Sequence, residues 1–165
     1  MKRQVIPAVA IAALFGIALL STTSGCKKSS SSGAGGQFSA TYSGQTFTPN
    51  FVIGAYSRSE GIIALIGYKV AAGDTTSLEV DIPDSVQVNE PSPFAGGSGM
   101  YYLDSKTGTF YNGDEVDGSG LVTLSSWDTT THTLSGTFSG NLYGQNSDSL
   151  VVTNGHFNTT YTPGP

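Results

Sequence analysis

Beyond residue 36 the chain alternates apolar and polar side chains in short runs. The alternation is clearest over residues 134–143, where apolar residues or glycines occupy one set of alternate positions and mostly Ser, Thr and Asn occupy the other. Successive side chains of a β-strand point to opposite faces, so a period of two predicts a strand with one buried face. Residues 78–82 repeat the pattern, with Leu78, Val80 and Ile82 predicted to be buried and Glu79 and Asp81 predicted to face water.

Turn residues separate these runs. Ser43-Gly44, residues 71–74 and Asn154-Gly155 each lie between two strand-like segments and predict hairpins. Residues 86–88 read as a short edge strand, and the prolines and glycines up to Gly99 predict an irregular loop. Residues 163–165 are predicted to fray.

These runs amount to about ten short strands, nearly all linked by hairpins, which predicts an all-β domain. Residues 62–66 are apolar at every position, so this strand is predicted to be central and covered on both sides. A strand of that kind suits an antiparallel β-sandwich better than the alternative, an up-and-down, lipocalin-like β-barrel whose wall faces solvent. The predicted fold is therefore the sandwich.

The first 26 residues have the layout of a bacterial lipoprotein signal peptide. Lys2 and Arg3 precede the sixteen-residue apolar run 5–20, and small residues lead to Cys26. Such a run is shorter than the roughly 20 residues of a permanent span, which favours export followed by cleavage. We therefore predict a signal peptide over residues 1–25, a lipidated Cys26 with a flexible Ser/Gly tether over 26–36, and one domain over 37–162. An ordinary secretory signal with an incidental cysteine is the alternative.

Charge and cysteine content narrow the possible partners. Cys26 is the only cysteine, so the chain cannot form an internal disulfide, and acylation would remove a reactive thiol. After residue 25, five Lys and Arg residues stand against twelve Asp and Glu residues. A negative surface without a basic stripe argues against nucleic acid and anionic headgroups. Membrane contact is therefore expected through lipid on Cys26, and the sequence does not give the oligomeric state.

Four aromatic residues near the two irregular loops are the candidate ligand-binding residues: Tyr101, Tyr102, Tyr111 and Trp127. If they share an exposed face, they can stack on a glycan or contact an envelope protein. The alternative is that they pack in the core.

Metal and catalytic signals are weaker. Asp114, Glu115 and Asp117 offer oxygen ligands to Ca²⁺, but Val116 interrupts the ligand spacing, and a solvated acidic loop is the alternative. His132 and His156 are predicted to be exposed at strand starts, and they have no partners for zinc. Ser98 and Ser119 lie between glycines without the strand-to-helix elbow of a hydrolase. No cofactor or bound metal is predicted.

Several motifs resemble small lipoproteins of unassigned function from Bacteroidetes-type envelopes. They are the Ser24-Gly25-Cys26 lipobox, the tether, residues 42–47, residues 127–138 and residues 152–157. The resemblance implies an all-β envelope domain, anchored in the outer membrane and facing the periplasm because Lys27 and Lys28 follow the cysteine, with the cell surface as the alternative. It also implies O-glycosylation motifs of the type Asp-Ser/Thr, whose acceptors here are Thr75, Ser85, Thr129 and Ser149; turn formation by Asp is the alternative.

Together these features predict a lipid-anchored envelope domain that acts as a non-enzymatic binding or structural module. The alternative is an envelope hydrolase or glycan-modifying enzyme, which would need a pocket that joins a histidine to two carboxylates.

Overall fold

The computed structural model describes residues 36–95, 97–113, 119–144 and 148–164. Within them every regular element is a strand, so the predicted all-β class is confirmed. In chain order the strands are β1 Gln37–Tyr42, β2 Gln45–Phe47, β3 Phe51–Ser57, β4 Ile62–Ala71, β5 Asp74–Pro83, β6 Pro91–Pro93, β7 Met100–Asp104, β8 Thr109–Asn112, β9 Ser119–Asp128, β10 Thr133–Gly144, β11 Ser149–Thr160 and β12 Thr162–Pro163.

Two tight turns form where the sequence predicts them. At Ser43 and Gly44 the backbone φ angles are 47° and 76°, and at Ala72 and Gly73 they are 47° and 86°. Two consecutive positive φ angles match the right-handed twist of the flanking strands, which is why such turns close hairpins. The turns join β1 to β2 and β4 to β5, whose registers are antiparallel.

The strands form one continuous sheet folded into two layers. One layer runs β3-β4-β5-β7-β8, and the other contains β10, β11, β1 and β2 with β9 and β6 on a branch. Two residue pairs between β8 and β10 join the layers, and β12 runs parallel to β3 over Thr162 and Pro163. The sheet is not closed into a barrel. The sandwich is therefore confirmed, and the barrel alternative is wrong.

Aromatic side chains fill the space between the layers. The Phe38 ring of β1 lies 5.4 Å from the Phe138 ring, measured between centroids. It also lies against Gly67 of β4, where an added Cβ would come within 2.9 Å of the ring. Glycine at this position therefore lets the two layers approach closely, because a side chain here would push Phe38 away.

Asn154-Gly155 does not form the predicted hairpin turn. Both residues lie inside the unbroken strand β11, and Asn154 has a φ angle of 52°. The registers with β1 and with β10 both shift at this point, as expected for a β-bulge that adds a residue to one strand. An Asn-Gly pair tolerates positive φ in a bulge as readily as in a turn. The dipeptide alone therefore does not distinguish a bulge from a hairpin turn.

Two further predictions about short segments are wrong. Residues 86–88 form no strand and contribute only an isolated bridge between Val88 and Leu124, whereas Pro91–Pro93 pair with β9 as an edge strand. Prolines are tolerated there because an edge strand needs only one row of hydrogen bonds. The predicted fraying of residues 163–165 is also wrong for Pro163, which pairs with Tyr56 of β3.

Candidate binding surface

The outer face of the β3–β8 layer is apolar. Cross-strand pairing places Ile53 opposite Ile66, and Leu103 opposite Phe110, so their side chains leave the sheet on the same side. We call this surface the apolar face; its larger apolar members are Phe51, Ile53, Ile62, Ile66, Tyr68, Val70, Tyr101, Leu103 and Phe110. Phe51, Ile53, Val70, Leu103 and Phe110 are between 43% and 49% exposed.

The prediction for residues 62–66 is therefore only partly correct. β4 is an inner strand between β3 and β5, and Ile63 and Leu65 are fully buried in the core. Ile62, Ala64 and Ile66 face outwards and are only half-buried. The strand is apolar on both faces because one face packs in the core while the other contributes to the apolar face.

Stacked rings form part of this surface. The rings of Phe51 and Tyr68 lie 5.1 Å apart with an interplanar angle of 21°. The rings of Tyr101 and Phe110 lie 6.4 Å apart with an angle of 16°. Each ring restricts the rotation of its partner, so the surface loses less conformational entropy when it binds another molecule.

Two carboxyl groups interrupt the apolar face at its centre. Glu79 and Asp81 alternate with the buried Leu78, Val80 and Ile82 along β5, so both leave the sheet on the outer side. The predicted outward direction of both side chains is correct, but the predicted exposure to water is wrong, because both are only partly exposed. Glu79 pairs with Ile66 on one side and Tyr101 on the other. Asp81 pairs with Ala64, and its backbone N–H donates to the carbonyl oxygen of Gly99 at 2.8 Å.

Burial shifts the pKa values of both carboxyl groups in the same direction. Burial raises the pKa of Asp81 to about 8, and the negative charge of Glu79 and their hydrogen bond act in the same direction. Burial also raises the pKa of Glu79, although the hydrogen bond from Asp81 opposes this. Burial next to Glu79 therefore favours the protonated form of Asp81 near neutral pH. The Oδ1 atom of Asp81 is buried and accepts no hydrogen bond from the described part of the chain.

The outer face of the other layer has different chemistry. The hydroxyl groups of Ser125 and Ser126 lie 2.8 Å and 2.7 Å from that of Ser135 and hydrogen-bond with it. Further along β10, Thr137 and Ser139 are exposed on the same side. We call this surface the hydroxyl face. A sandwich with two solvated outer sides would have such a surface on both, so the apolar face is the exception.

The four aromatic residues predicted to bind ligand do not share a face. Tyr101 lies on the apolar face, whereas Tyr102 points into the core, where its ring lies 5.1 Å from that of Tyr42 and 6.0 Å from that of Tyr111. Burial raises the pKa of the Tyr102 hydroxyl above its ordinary value. Only Tyr101 therefore belongs to the candidate surface.

Trp127 belongs to an aromatic cluster at one end of the sandwich. Its indole Nε1 donates to the hydroxyl oxygen of Tyr161 at 3.1 Å. The Tyr161 ring lies 6.3 Å from that of Tyr56 and 5.4 Å from that of His132. Tyr56 in turn donates to a carboxylate oxygen of Asp84 at 2.8 Å. Trp127 therefore packs between the two layers, as the alternative to ligand binding predicted for these aromatic residues.

The histidines lie far apart in the fold. His132 precedes β10, is half-buried, and its Nδ1 finds no hydrogen-bond partner among the described residues. His156 is exposed, but it lies within β11 and not at a strand start, so that part of its prediction is wrong. No group of three or more His, Cys, Asp or Glu side chains with metal-binding geometry occurs in the described ranges.

Other predicted sites are placed as follows. Ser85, Thr129 and Ser149 are exposed, whereas Thr75 is half-buried and its backbone N–H donates to Ser105 Oγ at 2.9 Å. Ser98 is fully buried, and its hydroxyl donates to the carbonyl oxygen of Ala95 at 2.7 Å, which assigns it to loop structure. Cys26 and the predicted calcium ligands Asp114, Glu115 and Asp117 lie outside the described residues.

Comparison of the chain with protein-family models, curated proteins and solved structures finds no match. Among the residues described, no helix has the length and hydropathy of a transmembrane span.

Sequence reasoning missed the apolar face, although a signal for it exists. Three of its strands are apolar at consecutive positions: residues 51–53, residues 62–66 and residues 100–103. A strand of a two-layer sandwich has one core side, so consecutive apolar positions place apolar side chains on the outer side as well. β3 and β4 are neighbours in the sheet, and β5 lies between β4 and β7. Their outer side chains therefore form two apolar areas on the same face, on either side of the polar outer row of β5.

Proposed function

We propose that this protein is a lipid-anchored cell-envelope module that binds a partner through the apolar face and catalyses no reaction. The lipid anchor is inferred from the order of segments at the start of the chain, where basic residues are followed by an apolar run and then by small residues that end at Cys26. Two or three acyl chains on one cysteine hold a protein durably on a membrane, whereas one chain does so only marginally. The resemblance to envelope lipoproteins supports the same location, on the outer membrane facing the periplasm.

The observation that carries the binding role is the contrast between the two outer faces. The apolar face carries five large apolar side chains that are each more than 40% exposed, on both sides of β5. The outer side of the other layer consists mainly of Ser, Thr and Asn and carries three such side chains, those of Leu121, Tyr143 and Val151. Leaving apolar area in water costs about 25 cal/mol per Å² relative to burying it. Exposed apolar patches bordered by polar residues often mark interaction surfaces in folded proteins.

The start of the domain lies beside this surface. Gly36 and Gln37 line a shallow groove together with Phe51, which is a member of the apolar face. Ten residues separate Cys26 from Gly36, which limits the distance between the lipid and the start of the domain to about 35 Å. We therefore propose that the lipid holds the apolar face close to the membrane, where partners of the envelope are concentrated.

A photo-crosslinking amino acid placed at Leu103 in the full-length protein, expressed in its own envelope, tests the binding role. Val151 provides the matched control, because it is 49% exposed on the opposite layer while Leu103 is 43% exposed. We expect a covalent adduct of defined mass from Leu103 and none from Val151. Equal adducts from both positions, or none from either, would overturn the proposed role.

The anchor is tested separately. Mass spectrometry of the purified protein should show an N-terminal Cys26 that carries acyl chains. The Cys26→Ser variant should leave the membrane fraction while its domain stays folded. An unprocessed leader, or a Cys26 without acyl mass, would contradict the anchor without affecting the crosslinking result.

A further inference from the structure

The carboxyl pair is the feature of the apolar face that its hydrophobicity does not explain. Glu79 and Asp81 lie between the outward-facing Ile66 and Ala64 on one side and Tyr101 on the other. Replacing buried charged groups with apolar side chains of similar volume is often neutral or stabilising in an isolated protein. A carboxyl pair flanked by partly exposed apolar side chains is therefore suited to a group that arrives from outside.

The charges near the pair are all negative. Asp81 is influenced electrostatically by Glu79 and by Glu60, which are both acidic. Within the described ranges neither carboxyl forms an ion pair with Lys or Arg, and Asp81 Oδ1 remains an acceptor without a donor. Ammonium and guanidinium groups form strong charge-assisted hydrogen bonds with carboxylates in such partly desolvated positions.

On the basis of the proposed binding role, we propose that the partner is a polypeptide that places one Lys or Arg side chain on Glu79 and Asp81 while its apolar side chains cover the surrounding face. The cation offsets the negative charge of the carboxyl pair, and apolar neighbours on the same segment match Ile53, Leu103 and Phe110. Apolar contacts contribute area, and the ion pair fixes the register of the two chains.

Two other occupants fit less well. A second copy of this chain, packed face to face, would bring a second Glu79–Asp81 pair towards the first, and like charges repel in a partly buried interface. A membrane surface rich in anionic headgroups would meet negative charge at the centre of the contact. A polypeptide can carry both the apolar side chains and the cation in one segment.

The test measures how the Leu103 crosslink depends on the pair. The full-length protein with the crosslinker at Leu103 is compared with the same protein carrying Glu79→Gln and Asp81→Asn. We expect the adduct yield to fall at least about tenfold, because a partner cation left buried without its counter-charge is strongly penalised. Glu90→Gln, which removes an exposed carboxyl elsewhere, is the matched control and should leave the yield unchanged.

Mapping the adduct provides a second readout. Digestion and mass spectrometry should identify a partner peptide that contains Lys or Arg among apolar residues, and replacing that residue with Met in the partner should lower the yield to a similar extent. Gln and Asn preserve the size of the original side chains, and thermal unfolding of the double variant checks that the domain remains folded.

The outcomes separate this inference from the proposed role. An adduct whose yield is insensitive to both substitutions, and whose partner peptide lacks a cation, overturns the inference and leaves the binding role intact. A lipid adduct or a covalent dimer of this chain also overturns it, in favour of a membrane or a second copy. Absence of any adduct at Leu103 overturns both.

Discussion

The indole Nε1 of Trp127 donates a 3.1 Å hydrogen bond to the hydroxyl oxygen of Tyr161. Trp127 lies on β9, and Tyr161 occupies the single position between β11 and β12, where the chain passes from one layer to the other. The Tyr161 ring also contacts Tyr56 of β3 edge-on. The Tyr161 side chain therefore connects β9 and β3 at the end of the sandwich where the two layers are linked by β12.

We expect Tyr161→Phe to lower the free energy of unfolding by about 1–3 kcal/mol, because the substitution leaves the Trp127 indole N–H in a partly buried position without its acceptor. Urea unfolding measures this change. Trp127 is the only tryptophan in the sequence, so its emission reports on this contact alone. Tyr143→Phe, at a 41% exposed position, is the control and should change stability by less than about 0.5 kcal/mol.

The carboxyl pair predicts an unusual dependence of stability on pH. The pKa of Asp81 is about 8 in the folded protein and 3.8 ordinarily, so the folded state retains a proton that the unfolded chain loses between these values. The free energy of unfolding should therefore fall as pH rises from about 4 to about 8 and level off above that. Urea unfolding at a series of pH values measures it, and a stability that rises steadily across this range would contradict the pair's burial.

Asp81→Asn isolates the contribution of this residue. Asn carries no ionisable proton and has nearly the shape of a protonated Asp. We therefore expect the variant to be more stable than the wild type at pH 8, with a flatter dependence of stability on pH. Glu90→Gln, at an exposed position, is the control and should retain the wild-type dependence.

Gly136 marks a close approach between β10 and its neighbours. An added Cβ would meet the backbone carbonyl oxygen of Thr123 and would lie 2.7 Å from the Phe157 ring. We expect Gly136→Ala to lower the free energy of unfolding by at least about 2 kcal/mol, since the backbone must move to relieve the contact. Gly144→Ala is the control: its nearest contact is the Tyr111 ring at 3.1 Å, which can rotate away, so the loss should be smaller.

The apolar face can be examined without knowing the partner. A triple variant, Ile53→Thr, Leu103→Thr and Phe110→Thr, should bind less of a hydrophobic fluorescent dye and elute earlier from a hydrophobic-interaction column, because it removes exposed apolar area. Its melting temperature should change little, since these side chains lie outside the core. The control, Leu121→Thr with Val151→Thr, alters the other layer and should have a smaller effect on dye binding.

The fold class can be predicted from local sequence patterns, whereas the apolar face cannot. The alternation along β10 and the paired residues Ser43-Gly44 predict a strand and a turn correctly, because strand period and positive φ are properties of neighbouring residues. Asn154-Gly155 fails because the same backbone conformation serves a bulge within β11. Whether an Asn-Gly pair turns the chain depends on strands β1 and β10, which lie far away in the sequence.

The candidate surface was hidden for a related reason. Tyr101 and Tyr102 are adjacent in sequence, but pleating places them on opposite faces, so grouping aromatics by sequence position combines one surface residue with one core residue. Phe51, Leu103 and Phe110 come to lie on the same face only through the strand order of the sheet. The sequence around Asp81 does not show that an apolar side chain lies beside it on the outer face. That neighbour, Ala64, belongs to the adjacent strand β4.

The contrast between the two outer faces also bears on how this protein can evolve. Substitutions among Ser, Thr and Asn on β9 and β10 disturb neither the core nor the proposed contact, so that layer is expected to diverge quickly between species. We expect instead coordinated changes between the partner polypeptide and the apolar face, at Glu79, Asp81 and the outward-facing residues of β3, β7 and β8. Paired changes at these positions in two genes of one genome would therefore reveal the partner by co-variation alone.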